Sequence, residues 1–130
     1  MITPQELRYN KTHEWVRVEG ELATVGITDY AQESLGDIVY IELPAADQAV
    51  KKGEEVATIE SVKAASPIYA PVSGTVVRVN PLLAKTPELV NQKPYEAFLF
   101  VLRIANPAEL AGLLDAAAYE RHVEQEKAAH

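Results

Sequence analysis

Short apolar runs, broken every few positions by glycine, proline or acidic residues, fill most of the chain and predict strands joined by tight turns. In Tyr9 to Val18, Trp15 and Arg17 alternate with Val16 and Val18, which predicts a strand with one buried face. Glu19-Gly20-Glu21 is a turn, and Leu22 to Ile27 is the returning strand of a hairpin. Thr28-Asp29 then offers short oxygen-bearing side chains to the free amides of a helix start. About two helical turns, Tyr30 to Leu35, follow, and Gly36 is suited to end them in a left-handed conformation. Asp37 to Leu43 is a strand stopped by Pro44, which has no amide proton for a ladder. Ala45 to Lys52 reads as a loop, and Gly53 opens the next strand.

That strand leads to the stretch around which the chain is organised, Glu60-Ser61-Val62-Lys63-Ala64. It lies between two β-prone runs, Glu55 to Ile59 and Pro67 to Pro71, and so predicts a hairpin with Lys63 near its tip. Ser61, Ala64 and Ala65 are small, so an enzyme could close around the amine without unfolding the mount. Val72-Ser73-Gly74 and Thr75 to Asn80 read as a second turn and strand, mirroring the first hairpin without a lysine. Pro87 to Val90 suggests a helical turn and Glu96 to Ile104 a final apolar strand. Asn106-Pro107 starts a short helix, with proline where its missing amide does no harm. Asp115 caps a second helix, Ala116 to about Ala128, whose sparse apolar residues (Ala117, Tyr119, Val123) place it on the surface. The expected fold is mainly β: a sandwich or flattened barrel with short helices and a helical C-terminal tail, in one domain over residues 1–130.

Composition removes several functions. The net charge of -7 opposes nucleic-acid binding, which needs a basic face. No apolar run approaches the ~18 residues of a membrane span. The first six residues show neither a secretion nor an import pattern, which leads to the expectation of a cytoplasmic protein. With no cysteine, sulfur chemistry must come from an added group. No phosphate loop, zinc-protease motif or nucleophile elbow is present, and His13, His122 and His130 are far apart in sequence and read as solvated.

Several stretches together carry a resemblance. They are His13-Glu14-Trp15-Val16, Gly26 to Glu33, Leu35 to Tyr40, Glu42-Leu43-Pro44, Glu60 to Ala64, Pro71 to Gly74 and Pro87 to Asn91. In this order they resemble the H protein of the glycine cleavage system, a lipoyl carrier, over about residues 9–104, followed by C-terminal helices at about 107–128 that are also typical of the family. Biotin carriers usually flank the modified lysine with methionines, whereas Lys63 lies between Val62 and Ala64. Where family members commonly have glycine and tryptophan after Pro-Tyr, this chain has Glu96-Ala97-Phe98.

The resemblance implies (R)-lipoate in amide linkage to Lys63, with Glu60, Ser61, Val62 and Ala64 read by a lipoate ligase or a lipoyl or octanoyl transferase. It implies a barrel-sandwich fold of the lipoyl-domain kind and a non-catalytic role. A pyridoxal-phosphate glycine decarboxylase loads an aminomethyl group on a lipoyl sulfur. A tetrahydrofolate-dependent aminomethyltransferase unloads it, and dihydrolipoyl dehydrogenase reoxidises the dithiol. Glu14 and Ser34 are the expected polar contacts of a cleft that shelters the loaded arm. An alternative within the same fold is a relay that delivers lipoyl groups to 2-oxoacid dehydrogenases. A third reading is an unmodified β domain that only binds partners. A monomer is expected.

Overall fold

The computed structural model describes residues 1–129. Nine strands form two antiparallel sheets: β1 (Arg8–Tyr9), β2 (Glu14–Glu19), β3 (Leu22–Ile27), β4 (Ile38–Glu42), β5 (Ala49–Val50), β6 (Glu55–Ser61), β7 (Ala65–Tyr69), β8 (Gly74–Val79) and β9 (Phe100–Ile104). One sheet has the order β1-β2-β3-β9-β8-β5 and the other β4-β6-β7. The expected sandwich with helical additions is present, but among the described residues its sheets stay separate and no barrel closes.

Consecutive residues of a strand face opposite sides. Val16, Ala23, Val25, Val76 and Leu102 of the larger sheet therefore share one buried cluster with Ile38, Ile41, Ile59 and Ile68 of the smaller. The alternation along β2 predicts one buried face, yet both are covered. Glu14, Trp15 and Val16 are all buried, and Trp15 belongs to a second cluster with Leu7, Tyr9, Ala116, Tyr119 and Val123. Tyr9 stacks on Tyr119 with ring centroids 4.7 Å apart. Trp15 Nε1 donates to the Pro94 carbonyl at 2.8 Å. Gly26 pairs with Trp15 in the β2–β3 ladder, and a Cβ there would lie 2.5 Å from the indole ring.

This second cluster corrects the reading of the C-terminal helix. The helix α3 (Ala116–Ala128), capped by Asp115 as expected, docks through Ala116, Tyr119 and Val123. Their spacing of three and four residues makes one stripe, so few apolar side chains suffice. The other α-helices among the described residues are α1 (Asp29–Leu35) and α2 (Leu89–Gln92). Thr28 caps α1 by accepting from the Ala31 amide at 3.2 Å.

Other boundaries differ for local reasons. Gly36 ends α1 at φ 77° but with ψ -154°, extended rather than helical. The segment read as a loop contains β5, two residues paired with β8. Val72-Ser73-Gly74 is not a hairpin tip, because β7 and β8 belong to different sheets and the segment carries the chain between them. The last strand starts at Phe100, after turns over 94–96, and Pro107–Gly112 is a 3-10 helix.

Candidate functional site

The β6–β7 hairpin places Lys63 where the turn signals predict it. Glu60 pairs with Ala65, and Val62, Lys63 and Ala64 project beyond the ladder, all exposed. Ser61 builds the tip. Its hydroxyl oxygen accepts from the Lys63 and Ala64 amides, each at 3.2 Å, and the Ser61 amide donates to the Ala64 carbonyl at 2.8 Å. The Val62 amide donates to the Asp37 carbonyl at 3.0 Å, tying the tip to the start of β4. Among the described residues no carboxylate forms an ion pair with Lys63.

Gly36 supports the lysine stem. A Cβ at Gly36 would lie 3.4 Å from Lys63 Cε. Asn91 holds this shelf, accepting from the Ile38 amide at 2.9 Å and donating to the Gly36 carbonyl at 2.9 Å and to Gln32 Oε1 at 3.0 Å. Val39, Tyr40 and Val62 are exposed along the same end of the smaller sheet, at 55%, 52% and 67%. They form an exposed apolar group beside the lysine.

Between α1 and β7 lies a cavity of about 150 Å³, lined by residues that include His13, Tyr30, Ser34, Ser66 and Pro67. Ser34 is thus placed at a cleft. Glu14 is not among the lining residues: it is fully buried at the start of β2. One carboxylate oxygen accepts from Asn10 Nδ2 at 3.0 Å and from the Thr12 hydroxyl, and the other accepts from the Tyr69 amide at 3.2 Å. Burial raises its pKa, and the donors from Thr12, Tyr69 and Asn10 pull it back down. Three donors converge on an acceptor-only group, so Glu14→Gln must turn an NH₂ toward a donor. The expected loss is about 1–3 kcal/mol, read by urea denaturation.

The histidines also differ from their sequence reading. His13 and His122 lie with ring centroids 5.8 Å apart. His13 takes a positive φ of 77°, and its amide donates to the Asn10 carbonyl at 2.9 Å. Burial lowers its pKa, Glu126 opposes that shift and His122 reinforces it. His130 lies outside the described residues.

The structure is a β sandwich that displays Lys63 on an exposed hairpin tip braced by Ser61. Comparison with known proteins gives its family. Residues 7–126 match the family described as Glycine cleavage H-protein. The chain is 54% identical over 127 residues to the glycine cleavage system H protein of Thermus thermophilus, covering 97% of this chain and 99% of that one. It is 51% identical over 127 residues to that of Nitrosospira multiformis, covering 97% and 98%. A crystal structure of a glycine cleavage system H protein from Mycobacterium marinum superposes with a TM-score of 0.85 at 33% identity, covering 93% of this chain and 98% of that chain. The chain belongs to the glycine cleavage H-protein family.

Proposed function

We propose that this chain is the lipoylated shuttle of a glycine cleavage system and that Lys63 is its attachment point. The supporting observation is the placement of Lys63: exposed, free of an ion pair among the described residues, on a tip whose backbone is braced by Ser61 and Asp37, with Gly36 beside its stem. The site suits the group. Amide formation needs an accessible amine, and a stiff turn gives the ligase or transferase a fixed segment, Glu60 to Ala64, to grip. Lipoate supplies a disulfide that accepts a one-carbon unit and two electrons.

The chain itself performs no bond chemistry in this reading. It positions the arm, sets the swing radius from one pivot, and offers the cavity beside Ser34 and His13 as shelter from water. Acylation neutralises one ammonium, taking net charge from -7 to -8. The partners are a pyridoxal-phosphate glycine decarboxylase, a tetrahydrofolate-dependent aminomethyltransferase and dihydrolipoyl dehydrogenase. Val39, Tyr40 and Val62 supply apolar contact beside the pivot.

Glycine–bicarbonate exchange with the cognate decarboxylase tests the shuttle. Fully lipoylated protein is expected to support exchange far above the decarboxylase alone. Absence of exchange contradicts the shuttle and favours delivery of lipoyl groups to 2-oxoacid dehydrogenases.

A further inference from the structure

A separate cluster lies where α3 crosses the loop before β2. His122 and Glu126 are one helical turn apart, so both side chains lie on one face of α3. His13 meets them from the loop. Its Nδ1 is 2.8 Å from the Tyr119 hydroxyl, which is 2.7 Å from Thr28 Oγ1. Tyr119 serves His13 in either tautomer; in the one with Nδ1–H donating to Tyr119 and Tyr119 donating to Thr28, Nε2 directs its lone pair toward Glu126. That is the arrangement in which an outer hydrogen bond fixes a ligating imidazole.

Glu126 Oε2 lies 2.6 Å from His13 Nε2 and 3.7 Å from His122 Nε2. In the metal-free chain it is shielded from solvent and close enough to His13 Nε2 for a proton to bridge the two. A divalent cation takes the place of that proton between the carboxylate and the two rings, and its binding releases the proton. The three ligand atoms all lie within 4.8 Å of one another. Ligands of a tetrahedral zinc ion, each at about 2.0–2.2 Å, stand about 3.4 Å apart, so small side-chain rotations suffice. In the metal-free chain His122 Nε2–H donates to the Lys11 carbonyl at 2.9 Å, so ligation moves that proton to Nδ1 and leaves the carbonyl within reach as a fourth ligand.

We propose that His13, His122 and Glu126 form a binding site for a divalent transition-metal ion of the zinc type. Two imidazoles select such an ion over magnesium or calcium, which favour all-oxygen sites. The acidic chain favours a cation. A bound ion clamps α3 to the loop before β2, and through it to the Trp15 cluster. The site does not involve Lys63, although His13 also lines the cavity beside Ser34.

The full-length chain with unmodified Lys63, stripped by a chelator, is titrated with Zn²⁺ against a chromophoric competitor while Tm is followed. The expected result is one equivalent bound and a Tm rise of several degrees, with no rise from equal Mg²⁺. H122A and E126Q, at partly exposed positions, each weaken binding at least about tenfold, with the metal-free Tm of each variant measured alongside so that lost stability is told apart from lost binding. H130A leaves binding unchanged. No stoichiometric binding, an equal response to Mg²⁺, wild-type affinity in both H122A and E126Q, or loss of binding in H130A overturns the assignment.

Discussion

Lys63→Arg is expected to abolish carrier activity while leaving the fold untouched. Arginine retains the positive charge and much of the stem, but its guanidinium offers no amine for the lipoyl amide. The bonds that shape the tip involve the Lys63 amide and Ser61, not the lysine side chain. Stability should therefore change by less than about 0.5 kcal/mol, as for other exposed substitutions. After treatment with a lipoylating enzyme, exchange catalysed with the decarboxylase should fall to the rate of the decarboxylase alone. Unchanged exchange by this variant would move the attachment point elsewhere.

Trp15→Ala is expected to carry the largest stability loss. The indole is fully buried, lies under Gly26, donates to Pro94 and faces the α3 stripe. Truncating a buried aromatic of this size costs about 3–5 kcal/mol, a large share of the ~5–15 kcal/mol that holds an ordinary domain together. Trp15 is the only tryptophan, so unfolding is followed by circular dichroism rather than fluorescence. A loss below about 1 kcal/mol would mean that α3 and the second cluster contribute little to the folded state.

The contrast between these two residues shows what the sequence makes legible. The Lys63 turn is a local feature: β-prone runs, small residues and one lysine within a few positions specify it. The Asp115 and Thr28 caps are local in the same way, and both form as expected. Trp15 was legible as a strand residue, but its cover was not, because α3 reaches it from the other end of the chain. Ala116, Tyr119 and Val123 look sparse until Tyr9 and Trp15 are known to lie opposite.

The same limit explains the crossover at Val72 to Gly74. A turn signal says that the chain bends, not which sheet receives the next strand. His13 and His122 seemed unrelated because no short-range pattern joins positions more than a hundred residues apart, although the His122-x-x-x-Glu126 spacing on a helix was readable. Asn91 fell within the resemblance, yet nothing local indicated that its amide would join α1, Gly36 and β4 into the shelf under Lys63.

Carriage of a lipoyl group requires the Lys63 amine, and intact-mass measurement interrogates that amine directly. The wild-type chain incubated with lipoate ligase, ATP and lipoate should gain a single lipoyl increment. Peptide mapping should locate it between Glu60 and Ala64, and Lys63→Arg should gain nothing. A wild-type chain that stays at its unmodified mass, or an Arg variant that still takes up the group, would contradict the account.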